Sequence, residues 1–317
     1  MLPDGTGRMP VGRSEVRGNR VVAVVLGAAA ALMIAGCGGR PPGVDGNLTN
    51  NWPAMPEAKL PVPADHACYA LSDPAPGVSK LPPTVDCGTQ HNVETIHVGM
   101  LTGGDAKADA PPPDGSPVQQ HAYTDCSNAA KDFVGDDWRN GRIGLDLVMP
   151  TSGQWDAEAR WYRCDLVEFK DLDSYDVLNR SASLKGTLTG ARPVGLGCFK
   201  ATTKGEDIDT MAPVDCATGH NTEYAGIWEA PAGAYPADAS QREKTQLDGC
   251  RGVIATFAGI PNDDKLRYRV GQITYGFGKA DWDLGNRGVR CYIWMDTKTL
   301  TKSLKGAGVA GLPINYA

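Results

Sequence analysis

Eight of the nine cysteines fall into two sets of four with nearly the same spacing, and this pattern constrains the fold more than any other feature. Cys68, Cys87, Cys126 and Cys164 are separated by 19, 39 and 38 residues; Cys198, Cys216, Cys250 and Cys291 by 18, 34 and 41. A recurring spacing calls for a search for internal repeats, and three further stretches recur in the same order. Val85-Asp86-Cys87, Thr89 and His91-Asn92-Val93-Glu94 match Val214-Asp215-Cys216, Thr218 and His220-Asn221-Thr222-Glu223. Trp155-Asp156, Arg160 and Arg163-Cys164 match Trp282-Asp283, Arg287 and Arg290-Cys291. Ser183-Leu184-Lys185-Gly186 matches Ser303-Leu304-Lys305-Gly306. These matches predict two tandem homologous domains, residues 64–190 and 191–317, meeting in the Gly- and Pro-bearing stretch Thr187–Gly197.

Within each copy the pattern reads as a small α+β unit: a curved, mainly antiparallel sheet with one packed helix, stapled by disulfides. The segments after the His-Asn pairs are rich in β-branched residues and predict strands, as do Arg142–Val148, Arg160–Val167, Leu266–Tyr275 and Arg287–Trp294. Cys126, Ala129, Ala130, Phe133 and Val134 share one face at helical spacing, as do Cys250, Val253, Ile254 and Phe257. Asp125 and Asp248 are candidate helix starts, and Trp155 and Trp282 are expected where strands begin. Gly103–Pro117 has no counterpart in the second copy and is expected to be an exposed inserted loop. Four cysteines allow three connectivities and the sequence does not choose among them. Our expectation is sequential: Cys68–Cys87, Cys126–Cys164, Cys198–Cys216 and Cys250–Cys291.

The ninth cysteine belongs to neither set. Arg8, Arg13, Arg17 and Arg20 precede an uncharged run, Val21 to Gly36, which ends in Ile34-Ala35-Gly36-Cys37. A basic segment, an apolar segment and small residues before a cut site form a secretory signal peptide. The order also resembles a bacterial lipobox, which makes residues 1–36 a leader and Cys37 the lipidated first residue of the mature chain. Two or more acyl chains anchor stably where one does not. Residues 37–63, with six prolines after Gly38, read as a flexible tether. The chain is thus expected on the outer face of the cytoplasmic membrane, where disulfides persist. Its formal charge of −6 argues against nucleic acid as a partner.

His91 and His220 are the histidines shared by the two copies, each with a Glu three residues on, Glu94 and Glu223. An Asp, a His and a Glu so close invite a metal or acid–base reading. Zinc commonly takes three or four Cys or His ligands, and oxidised cysteines are lost as thiolates. In an extended segment, residues three apart point to opposite faces. We therefore expect no metal and no cofactor, with Thr, His and Asn satisfying backbone groups where a loop enters a strand. Glu94 and Glu223 are expected to pair with Arg160 and Arg287. His91, Glu94, Trp155, Arg160, His220, Glu223, Trp282 and Arg287 form the candidate binding surface. The sequence has no G-x-S-x-G, H-E-x-x-H, S-x-x-K, Walker or dinucleotide glycine pattern.

The Val-Asp-Cys, His and Glu run, the cysteine-bearing helix and the Trp-x8-Cys strand together resemble the actinobacterial septum-formation domain. Cys87, His91, Glu94, Cys126, Trp155 and Cys164 carry this resemblance in the first copy. Cys216, His220, Glu223, Cys250, Trp282 and Cys291 carry it in the second. The second copy departs at Gly278-Lys279-Ala280, where the family has a proline. The resemblance implies an envelope protein linked to septum formation and no catalytic residues. The expected function is a non-enzymatic, lipid-anchored interaction or scaffolding module in the cell envelope, with division proteins or peptidoglycan as partners. The alternatives are a module binding cell-wall glycan or peptide, and a metal-dependent hydrolase built on the His–Glu motifs.

Overall fold

A computed structural model describes residues 60–74, 80–205 and 207–314. The leader, Cys37 and most of the tether lie outside the described residues. Among the described residues no helix is long and apolar enough to cross a membrane.

The first half builds a four-stranded antiparallel sheet from β1 (Ala67–Tyr69), β2 (Val93–Met100), β3 (Ile143–Val148) and β4 (Trp161–Glu168), in the order β1-β2-β4-β3. The second half builds β5 (Cys198–Lys204), β6 (Asp207–Val214), β7 (Thr222–Glu229), β8 (Gly271–Tyr275) and β9 (Gly288–Trp294), in the order β6-β5-β7-β9-β8. Four strands correspond in order, and β6 extends what is a single bridge, Cys68 with Val85, in the first half. Each pairing of the two central strands carries a register shift at the same place, between Thr95 and His97 and between Tyr224 and Gly226.

One face of each sheet is covered by a long helix, α1 (Pro117–Val134) or α3 (Ala239–Ala258). Cys126, Ala130 and Val134 are buried one turn apart, with Ala129 and Phe133 packed beside them. The helices start earlier than Asp125 and Asp248. Ser116 caps α1 by accepting from Gln119 N, with Pro117 in the first turn, and Asp238 caps α3. Asp125 instead sits mid-helix and accepts from the Tyr162 hydroxyl at 2.8 Å. The predicted strand Leu266–Tyr275 is shorter than expected, because Leu266–Tyr268 is a turn of 3-10 helix.

All four disulfides join sequential partners, with Cα–Cα distances of 5.1 to 5.4 Å. Cys126–Cys164 and Cys250–Cys291 pin helix to central strand in the core, where all four residues have no exposure. Gly99 shows how closely the first sheet is packed. A Cβ there would lie 2.0 Å from the Tyr162 ring, which the bond to Asp125 holds in place. Gly99→Ala is expected to cost about 1–3 kcal/mol by overpacking, whereas Gly104→Ala, with nothing within 4 Å, is expected to be close to neutral. Equal urea midpoints for the two variants would contradict this packing.

The faces away from the helices join the halves. Tyr292 is buried among Phe199, Tyr224 and Tyr275. The Tyr224 hydroxyl donates to Asn140 Oδ1 at 2.7 Å, and Arg290 Nε donates to the Arg139 carbonyl at 2.8 Å. Arg139 in turn donates to Asn286 through Nε and Nη2. The connecting stretch is tied down too: Arg142 N donates to Val194 O and Leu196 N to Asn140 O. In the first half this face buries a charged group. Asp165 accepts from Arg163 Nε at 2.7 Å and Thr95 Oγ1 at 2.6 Å. Desolvation still holds its carboxyl above the usual carboxylate range.

Candidate functional site

The motif residues assemble, in each half, at the end of the sheet where β2 or β7 begins. Asp86 opens the assembly with a turn: its carboxylate accepts from Gly88 N at 2.7 Å, and its carbonyl accepts from Thr89 N and Thr89 Oγ1. Asp215 does the same for Ala217 and Thr218. The turn presents a carbonyl to the histidine ring. His91 Nδ1 donates to Thr89 O at 2.7 Å, and His220 Nδ1 to Thr218 O at 2.8 Å. Asn92 imitates a strand partner, accepting from Leu71 N and donating to Leu71 O; Asn221 does so with Ala201.

The glutamates link this end of the sheet to the last segment of each half. Glu94 accepts from the Ser183 hydroxyl and the Leu184 amide, both at 2.7 Å. Glu223 accepts from Ser303 Oγ and from Leu304 N at 2.6 Å. The Ser-Leu-Lys-Gly repeat is thereby explained. Ser and Leu hold the carboxylate, Lys185 N and Lys305 N fold back on the serine oxygens, and the glycines dock against the helix ends. Gly186 N and Gly306 N donate to Phe133 O and Phe257 O, with φ values of +69° and +68°, a region glycine enters without strain. Arg180 and His91 exchange backbone hydrogen bonds, and so do Leu300 and His220.

Several expectations are corrected here. His91 and Glu94 do not point apart: His91 precedes the strand, and its Nε2 meets Glu94 Oε1 at 3.2 Å. Glu94 and Glu223 do not pair with Arg160 and Arg287. In the first half the nearby cation is Arg180, with Nε 3.7 Å from Glu94 Oε1. Arg160 stacks 3.8 Å above Trp155, and Arg287 lies over Trp282. The two tryptophans stand on short helices, α2 (Ser152–Asp156) and α4 (Lys279–Leu284), before the strands rather than at their starts. The stretch Gly103–Pro117 has no buried residue, as expected of an exposed insertion, but it is tied down by the residues it covers. Its Ala108 carbonyl accepts from Trp155 Nε1 and its Ala106 carbonyl from Arg160 Nε. It ends in the α1 cap.

His91, Glu94, Trp155, His220 and Glu223 are all buried, which removes them from a shared surface with Arg160, Trp282 and Arg287. Burial here follows from the closing Ser-Leu segments, whose buried leucines cover the glutamates. Sequence reasoning did not assign roles to Ser183, Ser303, Leu184, Leu304 or Arg180. The recurrence of Ser-Leu-Lys-Gly was the available signal, but it gave no partner.

The order of groups limits the chemistry. Serine donates to one glutamate oxygen, while the imidazole lies on the other side of the carboxylate. A serine nucleophile needs the imidazole next to its hydroxyl, and here the carboxylate stands between them. As metal ligands, Cys68, His91 and Glu94 offer atoms within 4.8 Å of one another, and so do Cys198, His220 and Glu223. Both sulfurs are held in disulfides.

A different opening lies beside Trp282. Tyr235, Trp282, Arg287, Lys279 and Gln120 line a cavity of about 470 Å³. Trp155, its counterpart, is sealed under the 103–110 segment. No curated protein and no solved structure matches the chain significantly. The family described as "Septum formation" matches over residues 67–291, more than two thirds of the chain and all eight paired cysteines, and the chain belongs to that family.

Proposed function

We propose that the protein is a non-enzymatic scaffolding module of septum formation, built from two tandem copies of one domain and held by acyl chains on Cys37 at the outer face of the cytoplasmic membrane. One observation carries the non-enzymatic part: in both halves the shared Asp, Thr, His, Asn, Glu and Ser side chains make bonds that close the fold, with His220 Nε2 alone among them left over. Four disulfides favour an oxidising compartment. The run from Val21 to Cys37 supports the lipid anchor.

Two measurements test this reading. A fluorescent fusion is expected to concentrate at division sites; uniform membrane signal with normal division after deletion removes the septal role. Cys37→Ala is expected to move the protein out of the membrane fraction, and an unchanged distribution removes the anchor.

A second reading, binding of cell-wall glycan or peptide, is favoured by the half-buried Trp282 beside its cavity. An indole face with adjacent cationic side chains suits a sugar ring or a carboxylated stem. Sedimentation with purified peptidoglycan that is lost in Trp282→Ala would support it; no sedimentation would exclude it.

A further inference from the structure

His220 differs from His91 in one respect. Its Nδ1–H donates to Thr218 O, which leaves the lone pair of the neutral ring on Nε2, and that atom is buried without a hydrogen-bond partner. In the first half the corresponding nitrogen meets Glu94, and Arg180 brings a positive charge to the same carboxylate. In the second half Leu300 takes the backbone place of Arg180. Among the described residues no cationic side chain lies within 4 Å of Glu223. Cys198, His220 and Glu223 are all buried, and each offers one ligand atom within 4.8 Å of the others, beside an imidazole whose Nε2 is unpartnered. His220, with Gly219 and Asn221, also lines a cavity of about 350 Å³.

We propose that Cys198, His220 and Glu223 form a binding site for a borderline-soft divalent cation such as Zn²⁺ when the Cys198–Cys216 bond is in its dithiol form. The step from the disulfide takes two electrons and two protons from a dithiol reductant, which becomes a disulfide. The cation then displaces the thiol proton of Cys198. Thiolate, imidazole and carboxylate are ordinary zinc ligands, and a backbone carbonyl on Nδ1 is the usual support for a ligating histidine. The cation supplies in the second half the positive charge that Arg180 supplies in the first. The Cys68–His91–Glu94 set, with its charge already balanced, is the weaker site.

The test uses the full chain with Cys216→Ser, which frees Cys198 while leaving the other three disulfides closed. Added Co²⁺ is expected to give a thiolate-to-cobalt charge-transfer band at one equivalent, displaced by Zn²⁺. The band is expected to fall at least tenfold in affinity when His220→Ala or Glu223→Gln is added, and to stay when His91→Ala is added. No band in a folded Cys216→Ser chain overturns the proposal, as does a band indifferent to His220→Ala. Should Cys216→Ser fail to fold, alkylation of partially reduced wild-type chain gives the answer. Zn²⁺ is expected to protect Cys198 in the wild type and not in His220→Ala; equal labelling with and without Zn²⁺ overturns the site.

Discussion

Glu94→Ala is expected to lower stability by about 3–5 kcal/mol, the usual consequence of removing one member of a buried charged network. The alanine strands three groups at once, the Ser183 hydroxyl, the Leu184 amide and His91 Nε2, while Arg180 keeps Glu168 and the carbonyls of Ala182 and Ser183. Each buried donor left without an acceptor costs about 1–3 kcal/mol on its own, and partial relaxation keeps the total below their sum. For a chain of this size the melting temperature should fall on the order of 10 °C. Glu223→Ala strands fewer partners, Ser303 and Leu304 N, and should cost about 2–3 kcal/mol. Thermal melts of both variants check the ranking. A Glu94→Ala chain that melts with the wild type would show that the network contributes nothing, and the structural reading of the motif would fall with it.

Cys250→Ala/Cys291→Ala is expected to lose about 2–4 kcal/mol through the unfolded chain alone, and more through the gap left between helix and strand. Both sulfurs lie at zero exposure in the second core, against Ile254, Val289 and Ile293. Cys198→Ala/Cys216→Ala is the comparison, because its bridge closes a loop of 18 residues rather than 41. Loop entropy makes that pair worth about 0.7 kcal/mol less, and Cys216 is only half-buried, so the cavity left is smaller. Guanidinium denaturation of the two double variants should place Cys250→Ala/Cys291→Ala clearly lower. Equal losses would mean that the buried bridge does not anchor α3.

The antiparallel α+β character of each half was legible because two copies of one pattern expose which face of a segment is apolar. The order of the strands was not, and the sequential disulfides were an expectation that the spacing alone did not choose. The helix starts were missed for a local reason. Ser116 and Pro117 carry an ordinary start signal, but they fell inside a stretch read as an insertion, so the cap was assigned to a loop. The contacts of Glu94 were missed for a non-local reason. Its partners lie 89 and 90 residues away, and their backbone amide and hydroxyl carry no charge signature. Arg160 was the nearer electrostatic guess, yet its guanidinium is consumed by the Trp155 ring and three carbonyls. A charge pattern predicts which residues attract each other; it does not reveal which of them is already satisfied by main-chain oxygen.

The Ser-Leu-Lys-Gly closures have a consequence for the order of events during synthesis. In each half the carboxylate that needs neutral donors emerges first, and its donors emerge some 80 to 90 residues later. Until then the first strands carry an uncovered glutamate and a half-made histidine network. Pairings this distant in sequence form slowly. Each half is therefore unfinished until its final stretch arrives: a chain ending just before Ser183 keeps all four cysteines of the first half, and one ending just before Ser303 keeps those of the second, but each lacks the segment that closes that half.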